Sequence, residues 1–541
     1  MRARTVLVHL PLACALVPAT VVRVVAVLGY PAPMWFGDSP EYLESAIEGR
    51  PGKTRPSGYS LLLWLLKPFH SFTVVVSAQH AIGLLTGVLV YALVWRAARA
   101  AWPDGPSRWA WRAWLPGALG ALAAVPVLYP VHQIALEHML MSDALFAFLL
   151  LAAVTAVLWR RRATWWLGAL AGLFAAAAAL TRTAGLPLIA VILMAMLLRP
   201  AGRRACAAAV VAFAVPVVAY MAVFQRTHGD FAIAKSGNIW LYGRTADFAD
   251  CRIIKPRPEL AVMCHRRTDP RISPAFASLW TKDSPFRRLP GWIYAERSDR
   301  LAGEFAREAI TKQPGDYARV VVRDTFRAFE WERKPYPTPW TWLQYEFPEG
   351  VAWSDEQDRL AARYDPTGET RVVDPWAEWT LRYQDRVVMP GTILGVLLLG
   401  GLAGTLVHVR HRGRWRPLRP VRHWSAGPLL PWTTSLALLV IPAATADFDY
   451  RYVLPAVPFA CVAFALALLP PQRPEPDRPY AGTEGTETDD VPREGGGGGD
   501  SEAAVPVRHR WARRMRRRTD LVNMGIVPGA TLTARLPPFV R

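Results

Sequence analysis

Ten runs of apolar residues limit what this chain can fold into: 6–28, 72–95, 115–130, 143–159, 165–180, 185–198, 206–224, 389–409, 429–444 and 452–469. A helix crossing hydrocarbon needs about 20 predominantly apolar residues, because no water is present there to satisfy backbone groups. Some of these runs are short or broken by proline, so the expected number of spans is about ten. The apolar stretch 61–69 is too short to cross and reads as a helix lying at the interface.

Charge placement supports this count. The composition joins 52% hydrophobic residues to 20% charged ones, with a mean hydropathy of +0.14. Such a balance requires charge to be segregated from apolar runs, which a soluble globular chain does not do. With Arg2 and Arg4 inside, the inside loops fall at 96–112, 160–162, 199–204 and 410–422, carrying four, three, three and six arginines. The outside loops near 131–142, 181–184 and 445–451 carry only Arg182 and Arg451, beside Glu137, Asp447 and Asp449. Cationic residues accumulate on the cytoplasmic side of short loops, so both termini are expected in the cytoplasm of a multi-pass plasma-membrane protein. The net charge of +20 would suggest nucleic acid in a soluble chain. Here its placement points to membrane lipids, and no nucleic-acid partner is expected. The first run has the basic start of a signal peptide, but it is longer than a signal core and contains Arg23, so it is expected to be retained.

The expected architecture is an all-α polytopic membrane protein in four parts. Residues 1–224 form an N-terminal transmembrane module, 225–388 an extracytoplasmic and mainly helical insert, 389–470 the C-terminal transmembrane helices, and 471–541 a disordered cytoplasmic tail. In the insert, Leu301, Phe305 and Ile310, then Val320, Phe326 and Phe329, predict helices over 298–312 and 317–331. The insert holds nine of the 23 tryptophans, read as core or interfacial residues ahead of a sugar-stacking face. The tail is rich in Pro, Glu, Thr and Gly, which cannot bury a core. Its seven arginines over 508–518 read as a tether to anionic lipid. Cys251 and Cys264 lie thirteen positions apart in the insert, and an oxidising exterior favours their disulfide over two free thiols.

The chemistry is expected in the first outside loop. Asp38 follows the first span, Glu41 and Glu44 share a face of a short helix, and Lys53, Arg55 and Tyr59 come next. A carboxylate converging with cations at a membrane surface suits sugar transfer from a lipid phosphate. The carboxylate takes the acceptor's proton, and the cations neutralise the departing phosphate. Asp38 or Ser39, ahead of Pro40, also fits the N-cap of that helix. The two roles are compatible.

Five segments resemble the GT-C class of integral-membrane glycosyltransferases, of the protein O-mannosyltransferase and lipid A aminoarabinose-transferase type. They are GDSPEYLESA at 37–46, RPSGYSLLLW at 55–64, SDALFAFLLLA at 142–152, LTRTAGLPL at 180–188 and RYVLPAVP at 451–458. The resemblance implies a GT-C-like bundle that moves a hexosyl or pentosyl group from a polyprenyl-phosphate-linked donor to an extracytoplasmic acceptor, with inversion and Asp38 as general base. The family's paired acid is Asp38-Ser39 here, so the second carboxylate is missing, with Glu41 a possible substitute. No cofactor is expected; if the family's acid pair is needed to hold a metal, its loss here argues for a metal-independent enzyme.

Other candidates surround this core. Glu137 and His138, with Asp143, either contact the sugar or serve as capping and solvated groups. No second histidine sits at ligand spacing, so no metal site is expected. Arg182 pairs with donor phosphate or with lipid headgroups. Arg451 and Tyr452 match the family motif and line the same cavity, or Arg451 forms a salt bridge within its loop. The rival readings are a transporter or lipid flippase, and a non-catalytic envelope assembly protein whose insert binds a partner.

Overall fold

The computed structural model describes residues 2–470 except 103–110, 161–162, 199–201, 265–268, 270, 292, 351–352, 369 and 413–426. The tail with its arginine cluster, and parts of the cationic loops, lie outside the described residues. Among the described residues every regular element is helical, apart from one isolated bridge between Met34 and Met139.

In chain order the N-terminal helices are α1 (Arg2–Gly29), α2 (Ser39–Glu48), α3 (Gly58–Leu66), α4 (Phe72–Ala101), α5 (Trp111–Leu128), α6 (Val131–His138), α7 (Asp143–Leu158), α8 (Trp165–Thr181), α9 (Leu188–Leu198) and α10 (Arg203–His228). The C-terminal apolar helices are Gly391–Arg412, Leu429–Thr445 and the composite Tyr450–Leu468. Among the described residues, Val8–Gly29, Phe72–Ala101, Arg203–His228 and Tyr450–Leu468 are long and apolar enough to cross a membrane. The remaining apolar runs fold as shorter helices or as a bent pair. A 16-residue helix such as α7 measures about 24 Å at 1.5 Å per residue, less than the ~30 Å of hydrocarbon.

One expected outside loop is corrected. Residues 131–138 are helix α6, bent by 62° from α5. Pro130 sits at the break with extended ψ, and a proline ring cannot continue the hydrogen-bond ladder. The Leu128 carbonyl at the break accepts from Arg23 Nη1 at 2.8 Å. The expected interfacial stretch 61–69 is the end of α3 plus a short 3-10 turn, with Leu61, Leu65 and Phe69 exposed.

Small residues bring the backbones of α8 and α10 close together. A side chain at Gly168 or Gly172 of α8 would strike the carbonyls of Ala205 or Ala209 on α10. Close backbone approach of this kind replaces the hydrophobic drive that lipid cannot supply.

The insert builds its own core, in which Leu301 and Phe305 of the helix Glu296–Lys312 pack with Ile239 and Tyr242 of α11 (Gly237–Thr245). The second predicted helix is Pro314–Arg327. It starts three residues early because proline suits the first turn, and it stops before Phe329. Its Phe326 is 65% exposed, contrary to the expected buried face. Cys251 and Cys264 are joined as a disulfide.

Candidate functional site

The bridge between Met34 and Met139 anchors the first loop. Met34 N–H donates to the His138 carbonyl (3.1 Å), and Leu140 N–H to the Met34 carbonyl (3.0 Å). Four residues later, Asp38 holds the N-cap position of α2, yet its side chain makes no capping bond. Ser39 does not cap either; its Oγ accepts from Phe36 N–H (2.8 Å) and donates to the Leu140 carbonyl (2.9 Å). The Asp38 carboxylate instead lies between two guanidiniums. Oδ1 accepts from Arg55 Nη2 at 2.5 Å and Oδ2 from Arg451 Nη1 at 3.0 Å. Burial pushes this carboxyl up, but Arg55 and Arg451 overcome it and hold the group below the usual carboxylate range.

Glu41, the suggested second acid, has a different task. It accepts from the backbone N–H of Thr54 (2.5 Å) and of Arg55 (3.2 Å), and from the Thr54 hydroxyl. It folds the segment carrying Arg55 back onto α2 and so aims that arginine at Asp38.

Arg451 comes from the start of the last apolar helix. Its Nη2 donates to Tyr452 Oη at 3.2 Å, and its guanidinium lies 4.4 Å from the Phe36 ring centre. Asp449 is its second carboxylate, with Oδ2 3.4 Å from Nε. Tyr345 Oη donates to Asp449 Oδ1 at 2.5 Å. Burial pushes Asp449 up to about 6, against the opposing pull of Arg451. Asp447 is also raised by burial and accepts from Ser273 Oγ (2.6 Å) and Tyr336 Oη (2.7 Å).

These groups stand at the foot of a cavity of about 1070 Å³. Asp38, Glu41, Arg55, Asp449, Arg451 and Tyr452 line it from below. The insert supplies half-buried Trp240, Trp280 and Tyr294 and the exposed Trp340. Arg55 lies over the Trp240 ring at 5.4 Å. Trp240 and Trp280 pack against the insert core as expected and line the cavity as well, while the exposed Trp340 lines the cavity without belonging to that core. They occupy a wall because α11 and the segments around Pro274–Trp280 and Pro339–Leu343 meet the first loop there. No periodicity in the sequence distinguishes a cavity aromatic from a core one.

Three expected contacts do not reach the cavity. Glu137 and His138 are fully buried. Glu137 pairs with Arg23 through bonds of 2.8 and 2.9 Å and lies 3.0 Å from His80 Nδ1. His80 Nε2 lies 3.1 Å from His138 Nδ1, and His138 Nε2 2.9 Å from the Tyr30 carbonyl. This correction has a clear cause: Arg23 lies inside an apolar helix, and an unpaired charge there is far costlier than a paired one. Tyr59 is also fully buried and donates to Gln79 Oε1 at 2.5 Å.

Arg182 takes an intermediate position. It forms an ion pair with the buried Asp143 and lies 5.0 Å from the Tyr452 ring centre. It backs the cavity through Tyr452 without lining it. Among the described residues, no three His, Cys, Asp or Glu side chains gather as a metal-ligand group.

No family model matches the chain, and no match was found among curated proteins or solved structures.

Proposed function

We propose that the protein is an inverting GT-C-type membrane glycosyltransferase, moving a sugar from a polyprenyl phosphate to an extracytoplasmic acceptor. The observation that carries this reading is the Asp38 carboxylate held between Arg55 and Arg451 beneath a large, aromatic-walled cavity. In this reading all ten apolar runs cross the membrane, the short ones in a locally thinned bilayer. Asp38 then lies on the extracytoplasmic side, with both termini in the cytoplasm.

Two guanidiniums on one carboxylate form a site for an anion, and a phosphate presents the same oxygen geometry to them. A donor phosphate seated on Arg55 and Arg451 draws them from Asp38 and leaves an ionised carboxylate beside the sugar. The acceptor hydroxyl oxygen then attacks the anomeric carbon, the bond from that carbon to the phosphate oxygen breaks, and the hydroxyl proton passes to Asp38. Arg55 and Arg451 take up the charge on the leaving phosphate. A cavity of about 1070 Å³ exceeds the size of most single small-molecule sites, which suits two substrates. Trp240, Trp280 and Trp340 offer apolar faces to sugar rings.

The test is mass spectrometry of the polyprenyl-phosphate pool in host membranes from wild type, a deletion and Asp38→Asn. Accumulation of one glycosylated carrier in both mutants supports the reading and names the donor. An unchanged pool, with an envelope still altered by the deletion, favours a transporter or assembly protein instead. The buried Arg23–Glu137 pair is the feature a transporter reading would use.

A further inference from the structure

Arg333 lies in the insert behind the cavity, and no carboxylate among the described residues pairs with it. Glu330 lies near enough to act on Tyr450, but neither it nor Glu332 forms an ion pair with Arg333. Its Nη1 is buried without a hydrogen-bond partner. Burial lowers this guanidinium to about 10, with only Tyr450 opposing, so it remains charged at neutral pH. Arg333 as a whole is half-buried, but a cationic nitrogen shut off from water without a partner is costly. A counter-anion removes that cost.

Two further polar groups converge here. The Arg333 guanidinium lies 5.6 Å from the centre of the Tyr450 ring. Trp342 joins the cluster, with ring centres 5.4 Å from Tyr450 and 5.9 Å from His132. His132 Nδ1 is buried without a partner. The Tyr450 hydroxyl, beside the Lys334 backbone, also lacks a well-formed bond. Arg333 Nη1, His132 Nδ1 and the Tyr450 hydroxyl are each buried without a bond around the Trp342 and Tyr450 rings, and together such groups can serve an oxyanion.

Position narrows the anion to a class. His132 follows the bend between α5 and α6, and Tyr450 opens the last apolar helix. Arg333 stands three residues past Glu330, whose carbonyl accepts from Gly391 N–H at 3.0 Å, where the helix Gly391–Arg412 begins. The cluster therefore sits where three apolar helices end, the depth at which lipid phosphates lie. Trp331, Leu343 and Val388, adjacent in sequence to these elements, are 68%, 58% and 47% exposed and offer an apolar rim for a lipid chain.

We propose that Arg333, His132 and Tyr450 hold the phosphate group of a membrane lipid at a site separate from the cavity. Thr341 and Gln344 line the cavity while Trp342 between them does not, so one short helix divides the two sites. The proposal does not depend on glycosyl transfer.

The experiment uses full-length protein, purified and stripped of lipid, with native mass spectrometry and thermal midpoints as readouts. Phosphatidylglycerol, undecaprenyl phosphate and inorganic phosphate are titrated separately. Wild type is expected to retain one phosphate-bearing lipid, and Arg333→Gln to bind it about tenfold more weakly, as loss of a charged hydrogen-bond donor implies. Arg333→Lys and His132→Gln should fall between, and they carry the comparison if Arg333→Gln does not fold. The loss in Arg333→Gln should appear with phosphatidylglycerol, which carries no polyprenyl chain for the proposed active site, and this separates the two sites. Preference for one of the two lipids identifies the headgroup. Equal binding by wild type and Arg333→Gln overturns the proposal. So does stabilisation by inorganic phosphate as strong as by lipid, or no phosphate adduct at all, which would mean that water fills the site.

Discussion

Arg451 Nη1 lies 3.0 Å from Asp38 Oδ2, although 413 positions separate the two residues. The contact joins the first turn of the last apolar helix to the loop after the first. Arg55 bonds the other oxygen of the same carboxylate, so the charge of Asp38 is balanced by two cations of the chain itself.

Loss of that carboxylate should remove transfer while leaving the fold intact. Asp38→Asn is expected to lower the rate by about 10²- to 10⁴-fold, the usual contribution of a positioned base. Arg451→Lys should also fail, since an ammonium cannot reproduce the planar fork. Transfer from a lipid-linked sugar in membrane vesicles measures both. Normal transfer by Asp38→Asn would falsify the assignment of the base.

The Arg23–Glu137 pair should behave as a buried unit. Glu137→Ala leaves Arg23 uncompensated and is expected to cost about 3 to 5 kcal/mol, whereas replacing both residues by methionine should cost much less. Chemical denaturation in micelles gives the two values. Equal losses would mean the network stabilises by something other than charge pairing.

Asp449 carries a pH signature. Its folded value, near 6, lies above the ordinary aspartate value of 3.8, so the folded state holds the extra proton between those values. Stability from this residue is present at low pH and declines as pH rises from about 4 to 6. The total change is at most about 3 kcal/mol, since the single rise from 3.8 to about 6 counts about 1.36 kcal/mol for each pH unit. Asp38, shifted the other way, contributes stability that is lost only as pH falls below the ordinary aspartate value. Thermal midpoints of Asp449→Asn should therefore gain on wild type across pH 4 to 6 and stay level above it. A flat difference curve would show that Asp449 is ionised throughout.

The disulfide in the insert closes a short loop, and its removal by Cys251→Ala should lower stability by about 3 kcal/mol. Comparison of wild type with and without reductant should give a similar shift, and the variant should not respond to reductant.

Much of the architecture was legible in residue pattern. The apolar runs fold as helices because backbone groups in such sequences have only one another to bond. Asp38, Arg55, Arg451 and Tyr452 were singled out and do meet. Glu137 and His138 were misplaced because a sequence shows that a charge lies near an apolar run but not which way it points. The signal that was available was Arg23, a cation inside an apolar helix that required an anion somewhere. The bend at Pro130 was legible as a break but not as a turn back toward α1. Tryptophans 240, 280 and 340 carry no periodic mark, so only the meeting of distant segments shows that they face a cavity. The salt bridge within its own loop that the sequence offered for Arg451 forms with Asp449, beside the bond to Asp38 that spacing does not specify.

The burial of Arg23 against Glu137 also bears on biogenesis. α1 is synthesised more than a hundred residues before α6, and an arginine inside a lone helix opposes insertion by about 2.5 to 3.5 kcal/mol. Until the carboxylate of α6 emerges, α1 has no ion-pair partner in lipid. Its stable residence in the bilayer is thus tied to the arrival of a later helix, and the first helix is locked in place only when the sixth has been made.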